Sequence, residues 1–295
     1  MDKLSLESRI KAEIYNFTGT MGIYLNDFKG YIIEINCEEK FETASTIKVY
    51  ILAELYRRIF ENKISRDDIL TYTKENYVVG SGILRALDYG VQMSVKNIAT
   101  LMIIISDNIA TNMLIDLLGV DNINNTCMEL GLKDTVLHNK IDFEKYPKLG
   151  TTTPKDYGKI FEMLYKGELW SKEISEEIIE ILKNQHYNTI LTKSMPQYFL
   201  DSEDTGDEEL VSIASKSGSM DACRNDGGII FTPYGGYVVS IFTKDFKDNL
   251  YYQEHESYRF GSKVSRLIFD HYLSLGGTLG TGHLSPPVHK LDKAH

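Results

Sequence analysis

Cysteine is scarce in this chain, and the three thiols, Cys37, Cys127 and Cys223, fall in no Cys-x-x-Cys pair. That excludes a zinc ribbon or a dense disulfide framework. One disulfide stays open, with lone buried thiols the simpler expectation. His283 and His289 stand six apart in a coil-like tail, so no metal site is expected there, or elsewhere. A basic face is missing too. Net charge is −10, whereas nucleic-acid binders draw most of their affinity from Lys and Arg on phosphate, so no nucleic-acid partner is expected. Long apolar runs are absent. The most apolar stretch, 98–105, is far too short to span a bilayer. The start, MDKLSLESRIKAEIYNF, lacks the basic-then-apolar pattern of a signal peptide. The expectation is a soluble chain, either cytoplasmic or one whose leader has been removed.

What is present suits a globular protein large enough for a sizeable core: 295 residues, 42% of them hydrophobic and 25% charged. Apolar spacing over 4–17 predicts an amphipathic helix. Residues 19–25 and 30–35 read as strands joined by a turn, and 45–59 as a largely apolar, buried helix. From about 65 to 197 the pattern is mostly helical, strongest over 95–118. Thr153-Pro154 opens a further helix, with Thr153 as N-cap. Strand-like runs follow at 210–216, 228–232 and 237–243, and 255–275 closes with an amphipathic helix. Early and late strands can then share one antiparallel sheet, with the terminal helices on a face. The predicted fold class is α+β: a sheet lobe, 1–60 and 208–275, with an inserted helical lobe, 61–207, in one catalytic domain over 1–275. Such a junction leaves a cleft, where ligand sites tend to lie. The acidic stretch 201–209 lacks calcium-loop spacing and reads as a solvated loop. The tail 276–295 reads as disordered or foreign to the native protein.

Three short motifs carry candidate chemistry. Ser45-Thr46-Ile47-Lys48 opens the apolar helix, and residues three apart lie on one helical face. A serine hydroxyl is a poor nucleophile until a base takes its proton. Lysine is such a base only when burial or a neighbouring cation lowers its pKa. A buried helix and a second lysine, Lys216, supply both. Alone, the SxxK spacing is common by chance. Ser106-Asp107-Asn108 follows a strongly apolar run; it reads as a helix cap, or as Ser106 passing a proton to a leaving amine and Asn108 binding a substrate amide. Lys216-Ser217-Gly218 ends a strand, where Lys216 and Ser217 would meet a carboxylate and Gly218 would permit close backbone approach.

Together, and in this order, the motifs resemble the SxxK, SDN and KTG signature of class A β-lactamases and penicillin-binding proteins. Ser217 stands where the family has threonine; both carry a hydroxyl. Residues 41–48, 106–112, Thr151-Thr152-Thr153-Pro154 and the hairpin from Lys216 through Arg224-Asn225-Asp226 are each similar to family segments. The resemblance covers nearly all of residues 4–275. It implies a five-stranded antiparallel sheet with flanking helices and a helical lobe. It also implies Ser45 as nucleophile, Lys48 as base, Ser106 and Lys216 in proton relay, and backbone N–H groups of Ser45 and Ser219 as oxyanion hole. Arg224 matches the position that helps bind the substrate carboxylate. The implied partner is a small β-lactam or acyl-peptide; no cofactor is required, and a monomer is expected.

One departure bears on turnover. The family deacylates with a loop glutamate in an ExxLN motif, absent from the shortened segment 137–150. Its only acids, Asp142 and Glu144, are candidates to replace that glutamate or are plain surface acids. A positioned base contributes roughly 10²–10⁴-fold in rate. The leading expectation is a class A-like β-lactamase. The alternatives are a D-alanyl-D-alanine peptidase, esterase or amidase with slow deacylation, and a sensor or binding module without turnover.

Overall fold

The computed structural model describes residues 5–146, 148–187, 189–200 and 211–275. The acidic stretch at 201–209 and the tail at 276–295 lie outside them. In chain order the elements are α1 (Leu6–Glu13), β1 (Thr20–Asn26), β2 (Ile32–Ile35) and β3 (Phe41–Glu42). A 3₁₀ turn, Ala44–Ile47, runs directly into α2 (Lys48–Phe60). The middle section holds β4 (Ile69–Thr71), β5 (Gln92–Ser94), α3 (Val95–Ile104), α4 (Asn108–Leu118), α5 (Val120–Glu129), β6 (Val136–Leu137), β7 (Gly150–Thr152), α6 (Pro154–Lys166) and α7 (Lys172–Lys183). The chain returns through β8 (Ser212–Ser215), β9 (Gly218–Met220), β10 (Cys223–Thr232) and β11 (Gly235–Lys244) to α8 (Glu256–Leu275).

The main sheet is antiparallel, in the order β2-β1-β11-β10-β8, with β9 also on β10. Five positions were expected from the sequence, and the fifth is divided. Ser215 faces Gly228 and Gly218 faces Asn225, so β8 and β9 keep one register. They are separated only at Lys216 and Ser217, where Ser217 N–H donates to Gln185 Oε1 at 2.7 Å. A side chain replaces the ladder partner there, and the edge strand opens towards the helices.

Period-two alternation distributes the sheet's side chains to two covered faces. Tyr237, Val239 and Ile241 of β11 join Leu6 and Ile10 of α1 and Val264, Ile268 and Phe269 of α8. Val238 and Phe242 join α2, α6 and the other helices of the middle section. Burial of both faces explains why these strands read as continuous apolar runs rather than alternating ones. The helical pattern over 95–118 is divided as well. Ser106 adopts φ +55° between α3 and α4, a region that costs a non-glycine residue free energy and is frequent at functional sites. All three cysteines are free and buried.

Candidate active site

The 3₁₀ turn sets the first pair. In a 3₁₀ turn, side chains three apart eclipse, and Lys48 N–H bonds back to Ser45 C=O. Ser45 therefore sits one turn before Lys48, partly exposed, while Lys48 is fully buried. Lys48 Nζ lies 2.7 Å from Ser106 C=O, 2.9 Å from Ser106 Oγ and 2.9 Å from Asn108 Oδ1. These three oxygens satisfy the hydrogen-bonding capacity of the amine at the end of a buried stem. Burial is the main force lowering the Lys48 pKa, and the Lys216 charge adds to it; Asp107 opposes both. Among the described residues no side-chain hydrogen bond holds Ser45 Oγ.

The second motif is a brace. Asp107 caps α4, accepting from Ala110 N–H at 2.9 Å. Its other oxygen accepts from Ile83 and Leu84 N–H at 2.7 and 2.9 Å. Gly82 passes close against it with φ +108°; a Cβ there would lie 2.2 Å from the carboxylate. This holds the loop that presents Ser81, whose Oγ donates to Ser106 C=O at 2.7 Å. The Asn108 amide, expected to face substrate, is engaged by Lys48, Ser81 and Val79 C=O.

The third motif lies at the divided edge strand. Lys216 is buried, its Nζ 2.8 Å from Ser217 C=O. Burial lowers its pKa to about 7, against the pull of the Asp226 charge. Asp226, also buried, is pushed up to about 6 although Ile190, Leu191 and Gly227 donate N–H groups to it. Gln185 Oε1 accepts from Ser217 Oγ at 3.1 Å, and Tyr157 donates to Lys216 C=O at 2.6 Å. Gly218 passes against the 3₁₀ turn: a Cβ there would stand 2.7 Å from both Ser45 N and Thr46 N.

Ser45, Ser106, Lys216, Ser217, Gly218 and Ser219 all line one cavity of about 270 Å³, joined by Ser81, Tyr187, Thr189, Tyr251 and Tyr258. The family model for the Beta-lactamase enzyme family matches residues 5–272. The chain belongs to that family. Among solved structures, a beta-lactamase from Sphaerobacter thermophilus is 26% identical with TM-score 0.79, over 91% of this chain and 97% of that one. PBP-A is also 26% identical, with TM-score 0.78 over 91% and 96%, and a variant of it was captured as an acyl-enzyme with penicillin G. A class A beta-lactamase from Mycobacterium abscessus, 19% identical, shares the fold at TM-score 0.78 over 91% of this chain and 99% of that one. No curated protein matches the sequence.

Within this beta-lactamase scaffold, Lys48 and Asn108 do not line the cavity themselves, although Lys48 touches Ser106, which does, and three further expected residues stand elsewhere. Arg224 is fully buried and does not line the cavity. Its guanidinium donates to the carbonyls of Met220, Cys223, Asn249 and Leu250 and lies 3.9 Å from the centre of the Tyr251 ring. Asp142 and Glu144 line a different cavity, of about 650 Å³. Asp142 Oδ1 accepts from Glu144 and Lys145 N–H groups in a local turn, and Glu144 is exposed. Among the described residues no carboxylate lines the cavity with Ser45. Sequence reasoning missed Ser81, Gln185, Tyr187, Thr189, Tyr251 and Tyr258. Only Ser81 carried a local signal, flanked as it is by Gly80 and Gly82.

Proposed function

We propose that the protein is a serine hydrolase that opens the β-lactam ring through an acyl-enzyme on Ser45. One observation carries the reading: a buried amine with a lowered pKa, Lys48, stands one turn from Ser45 and contacts Ser106, which lines the same cavity as Ser45. Lys48 takes the Ser45 proton as Oγ attacks the lactam carbonyl. Such contacts are commonly long in a free enzyme and tighten around the substrate. The N–H groups of Ser45 and Ser219 receive the oxyanion, which a turn packed against β9 favours. Ser106, in contact with Lys48, delivers the proton to the departing nitrogen. Lys216, where protonated, assists it and, with Ser217, meets the substrate carboxylate. Water then releases the acyl group.

A second reading draws on the missing carboxylate. With Asp142 and Glu144 lining another cavity, acylation proceeds while deacylation is slow, as in a peptidase, esterase or amidase of this fold. Hydrolysis of a chromogenic cephalosporin tests the first reading: Ser45→Ala is expected to abolish it, and equal rates for the two proteins defeat that reading. Mass spectrometry after brief exposure to benzylpenicillin separates them. A long-lived adduct on Ser45 supports slow release; rapid return to the free mass supports a β-lactamase.

A further inference from the structure

The cavity at Ser45 does not end at its own rim. Thr189, Tyr251 and Tyr258 line it and also line a neighbouring chamber of about 600 Å³. The two spaces are therefore neighbours, and these three shared side chains form the waist between them. Beyond the waist the walls include Met195 and Tyr252. Three tyrosines and a methionine make a surface suited to the face of a planar group. The one ammonium there, Lys193, is engaged by Gln253 C=O and Glu254.

The waist is built. Tyr258 O–H lies 3.0 Å from Ser219 Oγ, tying α8 to β9. Tyr251 belongs to an irregular segment between β11 and α8, which no ladder holds. Asp248 holds the segment through Leu250 N–H, Tyr252 O–H and His255, and Arg224 holds Tyr251 itself: the guanidinium bridges the carbonyls of Asn249 and Leu250, and the Tyr251 ring lies on its face. A planar guanidinium both stacks on an aromatic ring and forks to carbonyl oxygens, which lysine cannot do in the same way.

We propose that this second chamber is a subsite for a planar or aromatic substituent of the substrate, with Tyr251 its specificity-determining side chain and Arg224 a positioning residue that acts through Tyr251. The inference rests on the reading of Ser45 and of Lys216 with Ser217 as carboxylate anchor. The chamber opens beside that anchor, because Thr189 lines the Ser45 cavity together with Lys216 and Ser217. In a cephalosporin the C3 substituent is attached next to the carbon that bears the carboxylate. A ring carried there enters the chamber and stacks on Tyr251. Arg224 thus serves substrate selection without touching substrate.

The test uses Ser45→Ala protein, which cannot form the acyl-enzyme and so reports binding alone. The probes are two cephalosporins with the same acyl side chain, one with a 3-methyl and one with a 3-styryl group. The styryl compound is expected to bind about tenfold more tightly, the scale of one good aromatic contact. Adding Tyr251→Ala is expected to bring the two affinities together, whereas Tyr251→Phe keeps the preference. Adding Arg224→Lys, which retains charge and stem, is expected to lose most of it. Equal affinities in the Ser45→Ala protein, or a preference that survives Tyr251→Ala, would overturn the proposal. A preference that survives Arg224→Lys would remove Arg224 from it. Failure of the Ser45 reading looks different: the native protein neither hydrolyses nor is labelled by either compound while the binding preference persists.

Discussion

In the proposed reaction the two buried lysines, Lys48 and Lys216, face opposite demands. Lys48 must be neutral to accept a proton, and burial, with the Lys216 charge, lowers its pKa towards that form. Replacing it with methionine, similar in length but without a base, is expected to slow adduct formation on Ser45 by about 10²–10⁴-fold. Stopped-flow acylation with benzylpenicillin measures this, and an unchanged rate excludes Lys48 as the base. Lys216 must be charged to hold a carboxylate, and its pKa stands at about 7. The sign follows directly: below about pH 7 the ammonium is present, and above it the charge is lost. The dissociation constant of benzylpenicillin from Ser45→Ala protein is therefore expected to rise by up to about tenfold per pH unit above that point, while its methyl ester shows no such trend. At this scale the sequence was most legible where chemistry is local. Ser45 and Lys48 are joined by a single turn, and Ser106 and Asn108 flank a cap. Arg224 was misread because its partners, 25 and 26 residues onward, lie in a segment with no periodic signal.

Among elements, the contact between β9 and the 3₁₀ turn matters most. Its closeness depends on Gly218, where any Cβ meets backbone atoms that cannot rotate away. Gly218→Ala is expected to push β9 off the turn and lower acylation by about 10²–10³-fold, the scale of a lost oxyanion donor. The thermal midpoint should fall far less than the rate. Equal acylation by the variant would mean that the turn and strand do not form the oxyanion hole together. The helices and the outer strands were readable from periodicity and caps, Thr153-Pro154 among them: Thr153 Oγ1 accepts from Asp156 N–H at the start of α6. The division of the edge strand was not. It depends on Gln185, a side chain about 30 residues upstream that replaces ladder partners at Ser217. A local pattern cannot reveal such a substitution. Likewise β10 begins at Cys223, earlier than its apolar run, because Arg224, Asn225 and Asp226 are polar yet buried.

For the whole molecule, the terminal helices share one face of the sheet, as the order of helix, strands, helices, strands and helix predicted, and α6 and α7 pack on the opposite face. Each cysteine lies in a different part of that arrangement. Cys37 sits between β2 and β3, Cys127 in α5 and Cys223 at the head of β10. Burial raises their thiol pKa values to about 11, 12 and 12 respectively, so thiolate is scarce at neutral pH and attack by a disulfide reagent is slow. Each thiol then reacts only when its own surroundings open. The three residues are thus a ready-made set of clocks. Timed labelling with peptide mapping is expected to mark Cys37, 6% exposed, before Cys223, 0% exposed at the head of β10. Simultaneous labelling of all three would instead mean that the molecule opens as a single cooperative unit.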